Sequence, residues 1–491
     1  MQGPFQHGVA SGDPLDDSIV IWTRVTAAEP EVPVRWMLAR DPELSDVIAA
    51  GEASASAEDD HTVHVDVGDL QPASTYHYAF EAAGERSPVA RTRTLPGADV
   101  TRARFAICSC AKFNAGFFNA YSRIAERDDI DFLLHLGDYI YEAANKPAKG
   151  QTPGADIGRP FEPDGECRTL AEYRARYAQY HRDPDVQALH LAWPVICALD
   201  DHELADGAWA GGSDAHDPAV HGPWSERREA AFRARWEWLP ARPPDPADPT
   251  RVFRRVDVGA AAAILICDIR SRRSQPALPP EAADPGRSML GIEQRDWLFG
   301  ELDGPADGWR LVASPSILHK TWADELTEPL TTALVKLKLI DEDGEGPDED
   351  QWDGYPAERR ALLERLRRAG DVAVLSADIH VCIASRLQYE HVPFALEVTA
   401  PSLTSQNLDE KLGVEPRGPE IRAAEEAMVA GLEQVLWCEL AGHGYCVIDV
   451  DPERLRAEWW LVDGVLEPLA GETMVAAFEL DRGAGEPRRV A

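Results

Sequence analysis

Phe132-Leu133-Leu134-His135-Leu136-Gly137-Asp138-Tyr139-Ile140-Tyr141-Glu142 opens as an apolar run and breaks at Gly137-Asp138. Upstream, Phe105-Ala106-Ile107 is a second apolar run, which stops at Cys108-Ser109-Cys110. Residues 120–127 between the two have helical character, so residues 104–142 read as strand, helix, strand. Such a crossover makes the strands parallel and lays their carboxyl ends side by side, where open α/β sheets place ligands. Cys110, Asp138 and Tyr141 are therefore expected at one edge.

Toward the amino terminus the pattern is different. Residues 18–24, 32–39, 61–67 and 76–82 are short runs rich in Thr, Val, Tyr and Trp, punctuated by Gly, Pro and Asp. They read as a small all-β sandwich over residues 1–97, in which Leu70-Gln71-Pro72-Ala73-Ser74-Thr75-Tyr76-His77-Tyr78 is similar to a corner of a fibronectin-type module. Residues 93–98 read as a linker, and residues 98–491 as an α/β domain.

Toward the carboxyl terminus, helices are expected over residues 171–181, 225–238, 293–302 and 356–368, the last opened by Pro356. Strands are expected over residues 194–199, 260–269, 310–314, 371–376, 395–399, 444–449 and 456–462. Two of these deliver Asp200-Asp201-His202-Glu203 and Asp378-Ile379-His380. Residues 322–353 read as irregular, acidic around 341–345 but without the ligand spacing of an EF-hand. The end of the chain, from about residue 483, reads as frayed.

The 491 residues are enough for two cores, and 27% charged residues is an ordinary globular share. A net charge of -36 argues against a nucleic-acid partner or an anionic membrane and suits a solvated, salt-tolerant surface. No apolar run approaches the roughly 20 residues that span a bilayer. The start, Met1-Gln2-Gly3-Pro4-Phe5, has neither a basic leader nor a twin-arginine pair. A cytoplasmic location is expected, with export behind a removed leader as the alternative. Cys197, Cys267, Cys382 and Cys446 lie in apolar segments, so free core thiols are expected rather than disulfides, in keeping with a reducing compartment.

Cys108-Ser109-Cys110, Asp138 with Tyr141, Asp201-His202-Glu203 and Asp378-Ile379-His380 each follow an apolar run and each offer metal ligands or a proton carrier. Any one alone is a turn or a core cysteine as readily as a site. Their joint occurrence points to a two-metal hydrolytic centre, in which paired cations bind phosphate oxygens and activate a water. Carboxylates, phenolate and imidazole suit hard cations, and one thiolate admits iron or zinc. One carboxylate must be shared, and Asp138 is the candidate.

These motifs, taken with Phe5-Gln6-His7-Gly8-Val9-Ala10-Ser11-Gly12-Asp13-Pro14, Val20-Ile21-Trp22-Thr23-Arg24 and Trp352-Asp353-Gly354-Tyr355-Pro356-Ala357-Glu358-Arg359, resemble those of the PhoD-like alkaline phosphatase/phosphodiesterase family in their order along nearly the whole chain. The resemblance implies a metallophosphoesterase-like αββα sandwich and hydrolysis of small-molecule phosphate mono- or diesters. It implies a ferric (Fe3+) site at Cys110, Asp138, Tyr141 and His380, and a Ca2+ site shared through Asp138 near Asp201 and Asp378, with Zn2+ or Mn2+ as alternatives. His202 takes the place of a phosphate-contacting histidine that protonates the leaving group. Leu199, Ala377 and Asp206 stand where the family usually has Trp, Gly and Asn, and Cys108 is an extra thiol read as core.

The mechanism expected is attack by metal-activated water, in line with the departing alkoxide and without a phospho-enzyme. A thiol phosphatase would place Arg six residues after its cysteine, where Asn114 and Gly116 stand instead. A non-catalytic binding protein on the same scaffold is the remaining alternative.

Overall fold

The computed structural model describes residues 3–145, 157–242, 245–277, 280–305, 308–321, 326–344, 346 and 349–491. Strands Ala103–Cys108, Leu133–His135 and Val195–Cys197 lie side by side and parallel, with His135 opposite both Cys108 and Cys197. Helix Asn119–Glu126 makes the expected crossover. Side-chain alternation then sorts this sheet's residues. Phe105, Ile107, Leu134 and Ile196 point to one core, and Ala106, Cys108, Leu133 and Cys197 to another.

The sheet has ten strands, in the order Arg488–Arg489, Glu472–Asp481, Arg454–Val462, Gly444–Val450, Ala103–Cys108, Leu133–His135, Val195–Cys197, Val9–Gly12, Ile19–Arg24 and Thr62–Val67. A second, seven-stranded sheet runs Arg254–Val258, Ala262–Ile266, Trp309–Ala313, Val372–Ser376, Val392–Thr399, Cys382–Tyr389 and Val435–Glu439. Phe105, Ile107 and Trp459 of the first sheet share one core with Ile264, Leu311 and Val398 of the second, so the sheets face each other. Helices Leu170–His181, Pro184–Ala192 and Trp224–Trp238 cover the outer face of the first sheet. Helices Ile292–Asp303 and Pro356–Ala369 cover the outer face of the second.

The amino-terminal strands do not close on themselves. Val9–Gly12, Ile19–Arg24 and Thr62–Val67 extend the ten-stranded sheet, with Gly12 paired to Val195. A Cβ at Gly12 would meet the carbonyl oxygens of Val195 and Pro240 at 2.5 and 2.2 Å, so glycine permits this junction. Glu31–Ala39, Val47–Ser56, Thr75–Ala82 and Glu85–Arg86 form the opposing sheet, joined by Ala90–Arg93. The two layers share a core of Ile19, Ile21, Val34, Tyr78 and Phe80. The expected sandwich thus borrows one layer from the main sheet.

Two other expectations change. The carboxyl end is not frayed at residue 488: Arg488–Arg489 pairs with Phe478 and Glu479, and Arg488 binds Glu479 at 2.7 Å. Residues 322–353, read as irregular, contain helix Leu330–Lys336, whose Leu330, Ala333 and Leu334 are buried. Residues 322–325, 345, 347 and 348 of that stretch lie outside the described residues. All eight cysteines are free and buried.

Candidate metal centre

The site lies at the carboxyl ends of strands from both sheets, which meet there through isolated bridges between Ser109 and Ser402 and between Leu199 and Asp268. Cys110 follows Ala103–Cys108, Asp138 and Tyr141 follow Leu133–His135, Asp200 to Glu203 follow Val195–Cys197, and Asp378 and His380 follow Val372–Ser376. The turns are tight. Gly137 has φ +112°, and a Cβ on it would meet the backbone N of Asp200 at 2.7 Å, so this glycine lets two of the turns touch.

Four of the expected ligand residues sit in left-handed backbone conformations that L side chains rarely adopt: Cys110 (φ 60°), Asp138 (56°), Asp378 (72°) and His380 (65°). Each is unfavourable by about 1–3 kcal/mol, and such strain concentrates where the surroundings over-determine a functional geometry.

Ligand atoms of Cys110, Asp138 and His380 lie within 4.8 Å of one another. The Tyr141 hydroxyl joins them, donating to Asp138 Oδ2 at 2.7 Å and lying 3.4 Å from His380 Nε2, and it accepts from Ser405 Oγ at 2.6 Å. Asp138, Asp201 and His202 make a second such group, and Asp200, Asp201 and Asp378 a third. All seven residues named for the site from sequence are therefore brought together, and Asp138 belongs to two groups.

Charge explains why a cation fits. Burial, then the neighbouring Asp201, Glu203 and Asp378, pushes the Asp138 carboxyl well above its usual range, with His202 pulling the other way. Burial, Asp138 and Cys110 raise Tyr141 in the same direction. Burial pushes the Cys110 thiol far up, with Asp138 adding to it, which is the opposite of a thiolate nucleophile. Burial keeps His380 neutral, as a ligand must be. Asp201 Oδ1 is buried without a hydrogen-bond partner among the described residues. A bound cation reverses this logic, ionising the carboxylates and the thiol around it. The donor set fits hard cations plus one thiolate-tolerant metal.

Several residues were missed from sequence. Glu203 accepts from the backbone N–H groups of Asp138, Tyr139 and Asp200, pinning both turns. Glu142 Oε2 lies 2.7 Å from His202 Nδ1, and Glu142 Oε1 accepts from the N–H of Asp206. Arg270, fully buried, pairs with Asp200, with Asp350 at 2.7 Å and with Asp378 at 3.2 Å. Gln351 donates to Asp378 Oδ2 at 2.7 Å. Only the acidic residues gave a signal, through the Asp-Asp-His-Glu and Tyr-Glu runs in which they stand. Cys108 is a core thiol, packed with Leu133 and Tyr121 in the cluster beneath the site.

The chain matches the family described as PhoD-like phosphatase over residues 105–459 and the PhoD-like phosphatase N-terminal domain over residues 1–96. It is 30% identical over 515 residues to alkaline phosphatase D of Bacillus subtilis (strain 168), covering 99% of this chain and 82% of that protein. A solved structure of PhoD superposes with a TM-score of 0.86 at 29% identity, covering 100% of this chain and 93% of that one.

Proposed function

Because this chain belongs to the PhoD-like phosphatase family and is a phosphoric ester hydrolase, we propose that it cleaves small-molecule phosphate mono- and diesters at a binuclear metal centre. The observation that carries the reading is the convergence of Cys110, Asp138 and His380 on the Tyr141 hydroxyl, beside a second group that shares Asp138. We read the two facing sheets with their outer helices as a metallophosphoesterase-like αββα sandwich, preceded by the β-rich region over residues 1–97.

Cys110, Asp138, Tyr141 and His380 would hold ferric iron, and Asp138, Asp201 and Asp378 a calcium ion, with zinc or manganese as alternatives. Bound there, the cations would supply neutralisation of phosphate oxygens and a lowered pKa for water. The chain's own residues do the rest. Asp138 spans the two groups, Ser405 fixes the Tyr141 hydroxyl, and Glu203 fixes the backbone of both turns. Glu142 occupies His202 Nδ1, which leaves Nε2 to hold the proton delivered to the leaving alkoxide. Arg270 keeps Asp200 and Asp378 apart in charge and fixed in place.

The test is hydrolysis of paired mono- and diester substrates by purified protein, before chelation, after it, and after iron and calcium are restored. Loss and recovery on both substrates supports the reading. Hydrolysis unaffected by exhaustive chelation would remove the metal centre, and hydrolysis of monoesters alone would remove the diesterase half.

A further inference from the structure

A cavity of about 960 Å³ lies on the flank of the amino-terminal region, and none of its lining residues belongs to the metal centre. Two sheets end there. Thr62–Val67 is the last strand of the ten-stranded sheet, and Val47–Ser56 is the last strand of the sheet opposing it. Helix Trp224–Trp238 forms a further wall with one stripe of its surface, Ser225, Arg228, Phe232 and Trp236, spaced three and four residues apart. Val20, Val63 and Pro249 add apolar surface. Trp236 Nε1 donates to the Pro249 carbonyl at 2.9 Å, so this indole has only its ring left to offer. The volume is that of a small-molecule site, roughly 300–1,000 Å³.

The charged groups around the cavity are engaged or solvated, with one exception. Arg242 binds Asp66 at 3.0 Å, and Arg174 and Arg233 bind Glu237 at 2.5 and 2.8 Å. Arg233 also lies 3.7 Å from Asp59 and donates to the Glu58 carbonyl at 2.8 Å. His64 donates from Nε2 to the Leu239 carbonyl at 2.9 Å. The Glu58 and Glu229 side chains are exposed. Arg228 is the exception. Among the described residues its guanidinium has no carboxylate within 4.0 Å, its hydrogen bond is from Nη2 to Thr250 Oγ1 at 3.2 Å, and its Nε is buried without a partner.

The guanidinium carbon lies 5.2 Å from the centre of the Phe232 ring. Thr250 and Phe232 both line the cavity, so the unpaired charge stands at its wall. Burial works against that charge, yet an arginine does not give up its proton in a protein. The planar fork suits a carboxylate, and a single cation among apolar walls is too little for a phosphate dianion. Phe232 and Trp236 supply aromatic surface for a flat ring. We propose that this cavity is a binding site for a small aromatic carboxylate, its ring against Phe232 and Trp236 and its carboxylate paired with Arg228. The site is independent of the metal centre.

The test is titration calorimetry of the full-length, metal-loaded protein with 2-naphthoate, 2-naphthylmethanol and 2-naphthylmethylammonium, which share a ring system and differ in charge. The carboxylate is expected to bind about tenfold more tightly than the alcohol, and the ammonium more weakly than either. Arg228→Gln is expected to bring carboxylate and alcohol to equal affinity, and Arg228→Lys to keep part of the preference. Thermal unfolding of the ligand-free variants checks the fold. Ser225→Trp, which fills the cavity from an exposed position on the helix, is expected to weaken all three probes and locates the site without altering Arg228. No binding of 2-naphthoate at about 1 mM, an affinity no better than that of the alcohol, or a preference for the ammonium would overturn the proposal. So would a carboxylate preference that survives in Arg228→Gln, or 2-naphthoate binding unchanged in Ser225→Trp.

Discussion

His202 Nδ1 lies 2.7 Å from Oε2 of the buried Glu142, and the imidazole packs on the Tyr141 ring with centroids 4.1 Å apart. Burial works against charge on this ring, but Glu142, Asp138 and Asp201 outweigh it and hold its pKa well above the ordinary value. The proton is therefore kept at neutral pH and lost only as pH rises through the raised pKa. Glu142→Gln is expected to lower that pKa and shift the alkaline fall of kcat to lower pH. His202→Gln is expected to reduce kcat about 10²–10⁴-fold on an alkyl phosphate, and much less on 4-nitrophenyl phosphate, whose leaving group needs no proton. Equal losses on the two esters would take proton donation away from His202.

Tyr141 is tested by colour. A phenolate bound to ferric iron absorbs visible light, so iron-loaded protein is expected to be coloured and Tyr141→Phe colourless at equal iron content. The absorption spectrum and an iron assay on the same sample decide it, and a coloured Phe variant would exclude Tyr141 as the ligand.

Arg270 has no exposed side-chain surface and holds three carboxylates. Arg270→Met leaves Asp200 and Asp378 without their cation, and is expected to destabilise the metal-free protein by about 3–5 kcal/mol. Urea unfolding in a chelator measures this, and added calcium is expected to recover part of the loss. Wild-type stability in the variant would show that these carboxylates need no internal counter-ion.

The contrast between Asp138 and Arg270 shows what the sequence made legible. Asp138, like Cys110, Asp201 and Asp378, follows an apolar run closely enough for the strand's end to place it. Arg270 also follows a strand, yet in a chain where most basic residues are arginine nothing distinguishes one that turns inward from one that meets solvent. Residues 19–24 and 62–67 read as strands, but a strand reading does not say which strand is the neighbour, so the continuity of Val9–Gly12 with Val195–Cys197 was hidden. The pairing of Arg488–Arg489 escaped notice because an edge strand of charged residues has no apolar pattern.

The acidic surface yields its own expectation. With a net charge of -36, self-repulsion opposes the compact state and salt screens it. The thermal midpoint of chelator-treated protein is expected to rise between about 0.05 and 1 M potassium chloride, where the Debye length falls to a few ångströms. Scanning calorimetry against a sucrose control checks the direction. A falling midpoint would show that the many arginine–carboxylate pairs outweigh the repulsion.

If Asp138 is shared by two cations, its loss must disturb both. Elemental analysis of the purified protein is expected to find two cations per chain, one of them iron. Asp138→Asn, folded by circular dichroism, is expected to lose both together. Full retention of either cation in the Asn variant, or fewer than two in the fully loaded unaltered protein, would contradict the shared centre.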